Sequence, residues 1–312
     1  MNLLPRASTF AGHLDAMFYT MVGLSAVVVL GVFTAMLVFA VRFRRGRHVD
    51  RSGESHRELG IELVWTLVPF ALFVGIFVWS IVLWVDMRTP PANAATIYVI
   101  GKQWMWEFEH PDGQREINIL HVASGQPVRL VMTSQDVIHD VFVPAFRVKQ
   151  DVLPGRYTDL WFTPTRAGSY DLFCAEFCGT DHSRMRGTVV VDTPAAHARW
   201  LATHASASLA VRGKALFTRF GCAGCHDPAS SAHAPSLDGL YGSTVPLADG
   251  RQVLADERYL HDAIVLPASE VAAGYDPVMP SYKGRIDESD ILALIAYLKR
   301  RGQDRETPHE PR

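Results

Sequence analysis

Apolar positions crowd the N-terminal third of the chain in two unbroken runs. Met17 to Val41 reads MFYTMVGLSAVVVLGVFTAMLVFAV, and Ile61 to Val85 reads IELVWTLVPFALFVGIFVWSIVLWV. Neither alternates with a period of 2 or 3.6; both are apolar all round. At 1.5 Å per residue each is long enough to cross a bilayer core of about 30 Å. A buried core helix is the alternative reading, and the length speaks against it. The first run lacks a basic stretch immediately before it and a small-residue cleavage site after it, so it reads as a retained span, not a leader.

Charged residues between the runs are mostly cationic: Arg42, Arg44, Arg45, Arg47, Arg51 and Arg57. The positive-inside bias puts this loop in the cytoplasm, with both termini and everything after about residue 90 outside. Glu62 stands at the cytoplasmic start of the second span. It reads either as an interfacial charge favoured by the helix dipole or as a proton-pathway carboxylate; on physics alone the first is preferred.

After TPPANAA the pattern changes to short β-type segments. TIYVI, PVRLVMTS, TDLWFTPT and GTVVVD are rich in strand formers and punctuated by Gly, Pro and Asp. PVRLVMTS sends Val128, Leu130 and Met132 to one face. Such spacing predicts a β-sandwich or barrel ending near Asp192. Residues 193–210 then read as a short helix and a small-residue linker. Two amphipathic helices follow, one over VRGKALFTRF and one over IDESDILALIAYLKR. The second has Asp287 as its N-cap and an apolar face of Ile291, Leu292, Leu294, Ile295 and Leu298. The two are expected to pack together. The tail RGQDRETPHEPR is polar and reads as disordered.

Composition adds two constraints. The 312 residues allow more than one domain. A formal charge of −2 gives no basic field for nucleic acid. The four cysteines form two close pairs, Cys174/Cys178 and Cys222/Cys225, which suit disulfides, metal ligation or cofactor attachment.

The first pair lies in CAEFCGTDHSRM, which offers two thiols, the His182 imidazole and the Met185 thioether. Soft sulfur donors with imidazole favour electron-transfer copper. A mononuclear blue-copper site uses one Cys, two His and a weak axial Met. Here two thiolates are present, enough to bridge two ions, and His139 in DVIHDVFVP is the best second histidine. Zinc prefers four closed ligands, often from two CxxC pairs. A disulfide is feasible outside the cytoplasm but leaves His182 and Met185 without a reason. The second pair lies in Cys222-Ala-Gly-Cys225-His226, the pattern of covalent c-type haem attachment; a redox or zinc pair can share the spacing. Met279 in YDPVMPSYKG fits a sixth iron ligand that raises the potential, or is an ordinary core or surface methionine.

C-x-E-x-C-x3-H-x2-M with an upstream histidine resembles the dinuclear CuA motif of cytochrome c oxidase subunit II. GKQWMWEFEHPDG and VPAFRVKQDVLPGRY resemble two further stretches of that family, and the likeness runs from about residue 15 to 192. Residues 208–302 resemble a small class I cytochrome c. Pro235 is placed like that family's proline beside the proximal histidine, with Ala234 in place of the commoner glycine.

The resemblance implies a multi-domain membrane protein. Residues 1–91 would form a two-helix transmembrane hairpin and 92–192 a cupredoxin-like β-barrel. Residues 193–207 would be a linker, 208–302 an all-α cytochrome c domain and 303–312 a polar tail. It implies that Cys174 and Cys178 bridge two coppers, that His139 and His182 ligate one each, and that Met185 and the Glu176 carbonyl complete the set. The Glu176 side chain would contribute to magnesium at the interface with subunit I. Trp104 would pass electrons to copper, and Glu62 would stand at a proton-channel mouth, reversing the preference above. Cys222, Cys225, His226 and Met279 would hold haem c. Asp140 departs from the small residue common after the histidine and would alter local charge without abolishing copper binding.

The implied function is the electron-accepting subunit of a respiratory haem-copper oxidase, in a bacterial plasma membrane. It would act with subunits I and III and a donor such as soluble cytochrome c or the cytochrome bc complex. Oxygen would be reduced to water on subunit I. A CuA-type nitric oxide reductase subunit and a membrane-tethered carrier without an enzymatic partner are the rival readings.

Overall fold

The computed structural model describes residues 5–46, 58–204, 208–230 and 232–301. Arg47, Arg51 and Arg57 of the basic loop, residues 205–207 of the expected linker and the tail from 302 lie outside the described residues.

The apolar runs form two long helices, α1 (Thr9–Arg42) and α2 (Glu58–Arg88). Each extends beyond its apolar run. Most apolar side chains along them are exposed, Val27 at 69% and Phe73 at 73%, as lipid-facing surface would be. The first turns of α1 instead dock on the β-domain. Ser8 accepts from the Ala11 amide as N-cap and donates to the Phe146 carbonyl at 2.7 Å. Asp15 takes Arg6 Nε at 2.6 Å and Arg147 Nε at 2.9 Å. At the outer end of α2, Trp161 Nε1 donates to the Asp86 carbonyl at 3.1 Å. The anchor is thus bolted to the head at both outer ends.

The β-domain has ten strands: β1 (Ala95–Lys102), β2 (Met105–Glu109), β3 (Arg115–Ile117), β4 (Ile119–Ala123), β5 (Val128–Ser134), β6 (His139–Val143), β7 (Val148–Val152), β8 (Thr158–Phe162), β9 (Gly168–Cys174) and β10 (Arg186–Asp192). They form two five-stranded sheets, β3-β2-β1-β5-β8 and β4-β10-β9-β6-β7, a cupredoxin-like arrangement. Val128, Leu130 and Met132 point into the shared core with Ile97, Val99, Trp106 and Phe162, as their alternation predicts.

Helix α3 (Pro194–Thr203) occupies much of the stretch expected as linker. Thr193 caps it, and its Trp200 stacks on His121 at 4.6 Å. Glu116 holds His110 at 2.9 Å and also bonds His121. This aromatic clasp pins α3 to the edge of the β-domain.

The C-terminal part contains α4 (Leu209–Arg219), α5 (Ala223–His226), a small ribbon of β11 (Thr244–Pro246) and β12 (Gln252–Leu254), α6 (Glu257–Val265) and α7 (Glu288–Arg301). Helices α4 and α7 pack together, as expected. Ile291, Leu292, Leu294, Ile295 and Leu298 are all buried. Asp287 stands just before α7 and its carbonyl accepts from Ile291 N at 3.0 Å.

This helical part is seated on the outer face of the first sheet. Along β1, Ile97 and Val99 face the inner core, while Tyr98 and Ile100 join the helical core with Val131 of β5. Burying the Ile and Val side chains contributes roughly 1.5–3 kcal/mol each. Polar contacts ring this seam. Leu209 N donates to the Pro111 carbonyl at 3.3 Å, Arg212 Nη2 lies 3.4 Å from Glu109 Oε1, and Arg129 Nη1 lies 4.0 Å from Glu257 Oε1. Tyr157 meets His261 edge-on, ring centroids 5.4 Å apart. The linker therefore joins two parts that already share a core.

Candidate functional site

The loop between β9 and β10 meets the start of β6 at one end of the second sheet. Cys174 closes β9, the turn after it carries Cys178, and a short 3-10 turn (His182–Arg184) precedes Met185 and β10. His139 opens β6, which pairs with β9 so that Val141 faces Cys174. Pairing thus brings a histidine 35 positions upstream against the motif.

The six sequence-predicted donor atoms converge. His139 Nδ1 lies 3.9 Å from Cys174 Sγ, which lies 3.7 Å from Cys178 Sγ. Cys178 Sγ lies 3.4 Å from His182 Nδ1 and 3.7 Å from Met185 Sδ. The Glu176 carbonyl lies 3.2 Å from Cys174 Sγ. All four cysteines are unbonded to one another in this structure. His139, Cys174 and Met185 are buried. Two central sulfurs, an imidazole on each side, a thioether and a carbonyl form a soft, closed donor set, and that chemistry fits a pair of copper ions.

The thiols do not ionise alike. Burial opposes both thiolates. At Cys174 the hydrogen bond with His139 and backbone bonds outweigh it, and its pKa falls to about 7. At Cys178 burial and the neighbouring Cys174 charge push it up to about 12.

Supporting residues surround the donors; of these, sequence reasoning missed Asp136, Trp106 and Gln103. Asp136 Oδ1 lies 2.8 Å from His139 Nε2. Trp106 packs edge-on to the same ring at 5.8 Å. Gln103 Nε2 donates to the Cys178 carbonyl at 2.7 Å, as does Trp104 Nε1 at 3.2 Å. Trp104 therefore touches the backbone of a central cysteine. Gly179 has φ +115°, and a Cβ there would come 2.9 Å from Gln103 Nε2. The D-x-x-H spacing of Asp136 and His139 was the one available signal.

Asp140 is buried on β6, its side chain on the opposite face from His139. Lys149 Nζ lies 3.1 Å from Oδ2. Burial, then Asp151, push its carboxyl up to about 6 against the pull of Lys149. The Glu176 side chain is exposed, as is Phe177 beside it. Glu62 is exposed on α2.

In the helical part, Cys222, His226 and Met279 line one apolar cavity with Phe217, Tyr259, Ile264 and Leu294. A second, adjoining cavity opens onto Cys225. His226 Nδ1 lies 3.0 Å from the Pro235 carbonyl, which fixes the ring and leaves Nε2 for a metal. Two thiols and an imidazole on one turn, a thioether in the same apolar cavity, and no buried charge in its wall fit a covalently held haem.

Comparison with known proteins supports both halves. Residues 114–193 match the family described as "Cytochrome C oxidase subunit II, periplasmic domain", and residues 210–301 match "Cytochrome c". An alternative cytochrome c oxidase subunit 2 of Bradyrhizobium diazoefficiens is 31% identical over 201 residues, covering 54% of this chain and 72% of that protein. The chain belongs to the cytochrome c oxidase subunit 2 family. The subunit 2 of Alkalihalophilus pseudofirmus is 26% identical over 292 residues, 88% of this chain and 83% of that protein. A crystal structure of the periplasmic domain of subunit II from Bradyrhizobium japonicum aligns with 31% identity and a TM-score of 0.36, covering 37% of this chain and 96% of that one.

The protein is accordingly a cytochrome c oxidase subunit 2 with a cytochrome c domain, part of a haem-copper oxidase and anchored in a membrane by its two apolar helices. Its family implies a CuA copper centre in the first domain, haem in the second, and subunit I as partner.

Proposed function

We propose that this subunit receives electrons at its cytochrome domain and hands them through its β-domain to subunit I. When bound, haem c and the copper pair supply reversible one-electron chemistry, which links an external donor to the site on subunit I where oxygen becomes water. The observation that carries the reading is the convergence of six donor atoms from His139, Cys174, Glu176, Cys178, His182 and Met185.

The side chains of this chain hold and shape both sites. Cys174, Cys178, His139, His182, Met185 and the Glu176 carbonyl would hold the copper pair, the two thiolates at its centre. Asp136 holds the His139 ring so that Nδ1 faces the sulfurs. The closed, largely buried donor set admits no substrate and limits rearrangement between oxidation states. Cys222 and Cys225 would hold the haem covalently, with His226 and Met279 as the residues that would ligate its iron. Trp104, bonded to the Cys178 carbonyl, is the electron-accepting surface residue of the β-domain. The exposed Glu176 side chain would be free to help hold a magnesium ion at the interface with subunit I, and Glu62 would stand at the mouth of a proton channel there.

Docking of the cytochrome on the β1–β5 face keeps the two sites in one body, so delivery needs no diffusional encounter between them. The basic loop faces the cytoplasm of a bacterial cell, and both soluble domains lie outside the plasma membrane, with subunit III also in the complex.

The test is metal and haem analysis of the membrane-purified complex with paramagnetic resonance and gas assays. Two coppers and one haem on this chain, a hyperfine pattern from one electron shared by two copper nuclei, and oxygen uptake are expected. Zinc, or a single-nucleus copper pattern, overturns the copper assignment. Nitric oxide consumption without oxygen uptake assigns the other gas. Isolation without a polytopic haem subunit makes the chain a lone carrier.

A further inference from the structure

Helix α7 ends at Arg301, whose side chain is only 12% exposed. Its guanidinium joins segments that are far apart in the chain. Nε lies 2.5 Å from Asp238 Oδ1. Nη2 donates at 3.1 Å to the carbonyl of His226, 75 positions upstream. The guanidinium carbon stands over the Phe217 ring, 5.3 Å from its centroid. Phe217 and His226 line the haem cavity, and so do Leu237 and Leu240, which lie either side of Asp238 in the chain. One cation at the end of the last helix thus ties together α4, the Cys222–His226 turn and the loop over residues 235–240.

A helix as short as α5 cannot satisfy its own last carbonyls, and that of His226 takes its donor from Arg301. The same residue is held a second time through its ring. A carbonyl only accepts, so His226 Nδ1 donates to Pro235 at 3.0 Å. Pro235 begins the loop that Asp238 fastens to Arg301. Arg301 therefore fixes both sides of the His226–Pro235 bond, the histidine through its main chain and the proline through its loop. A ring that donates from one nitrogen is a stronger base at the other, and such bonds tune a metal held there. The planar fork of arginine suits this task. Lysine carries the same charge at a point and cannot serve two partners in one plane while lying over a ring.

We propose that Arg301 is a positioning residue for His226: it keeps the His226–Pro235 bond closed and thereby sets the potential of haem held in this cavity. The proposal rests on the reading that Cys222, Cys225 and His226 hold haem. Loosening the bond makes His226 Nε2 a poorer donor, which disfavours ferric iron, so the potential rises. Removing the cation acts in the opposite direction, because less positive charge nearby favours ferric iron. Arg301→Lys keeps the charge and separates the two effects.

The experiment uses the full chain in detergent with haem and copper in place. Optical redox titration reads the haem potential. Nitrogen-15 NMR of the histidine-labelled protein, with both sites reduced, reads exchange of the His226 Nδ1 proton. In Arg301→Lys we expect the ferric-to-ferrous ratio at a fixed poise to fall on the order of threefold, half a decade on the one-electron scale. The Nδ1 proton should exchange faster, and the copper potential should not move. Arg301→Gln should show the faster exchange with a smaller rise in potential, or a fall. Asp238→Asn keeps the arginine, weakens its hold on the loop and should quicken exchange as well. Arg300→Gln removes a charge from the same turn at an exposed position and should leave exchange unchanged. A proton and a potential that stay put in Arg301→Lys and Asp238→Asn, even with a lower melting temperature, make Arg301 an ordinary packing contact and overturn the proposal. An equal effect of Arg300→Gln overturns it too. A chain that carries no covalent haem before any substitution overturns the haem reading, and this proposal with it; inert variants of a haem-bearing chain overturn the proposal alone.

Discussion

Asp136 Oδ1 and His139 Nε2 lie 2.8 Å apart, and the contact turns the other ring nitrogen toward Cys174. Asp136 also accepts from the Gln103 and Val137 amides. These bonds hold its carboxyl below the ordinary range against the effect of burial. It is therefore an ionised, fixed support. Replacing it as Asp136→Ala frees the ring, and copper affinity should fall roughly 10- to 100-fold, the usual cost of losing such a partner. Chelator competition measures this, and Asp136→Asn should recover part of the loss.

Copper loading should release protons in a pH-dependent number. The Cys174 thiol is drawn down to about 7 and the Cys178 thiol pushed up to about 12. Both are protonated at pH 6 and both must ionise to bind metal. Release should exceed two protons per chain at pH 6, where His139, raised above its ordinary value by Cys174 and Asp136 against burial, also gives one up, and should fall toward one at pH 8.5. Titration in weakly buffered solution reads the difference; a pH-independent count would contradict the asymmetry.

Helices α4 and α7 touch at Gly213. A Cβ there would lie 1.9 Å from the Ala293 carbonyl oxygen and 2.8 Å from Tyr297 Cβ. Backbone cannot yield as a side chain does, so Gly213→Ala should separate the helices and cost at least about 1–3 kcal/mol. The cytochrome domain should lose haem on mild heating while the copper spectrum persists.

Glu109 sits fully buried at the seam between the domains, 2.9 Å from Arg115 and 3.4 Å from Arg212. Burial outweighs both cations and raises its carboxyl to about 7. A carboxyl raised in the folded state is a burden when ionised. Its contribution to stability is most favourable below the unfolded value near 4.5 and declines as pH rises to about 7. His261, raised by Glu288 and Asp262 against burial, acts in the same direction. Thermal stability should therefore rise as pH drops from 8 to 6. Glu109→Gln should flatten this slope, which calorimetric melting across that range would show.

The sequence by itself determined what depends on neighbours along the chain. Two apolar runs dictated two long helices, because an all-round apolar surface suits lipid. The close spacing of Cys174, Cys178, His182 and Met185 put four donors on one turn-rich loop, and Cys222, Cys225 and His226 fell on one helical turn. His139 was chosen as the upstream ligand, but only the pairing of β6 with β9 brings it to Cys174. Tertiary structure alone decided the rest. Asp136 and Gln103 serve the site through contacts across loops. The seat of the cytochrome on β1 was hidden because TIYVI, apolar on both faces, shows burial on two sides without saying what covers the second. Trp200 looked like part of a linker until His121 and His110 closed around it. Local chemistry is written in spacing; a shared core between distant segments depends on shape, which one strand's pattern cannot specify.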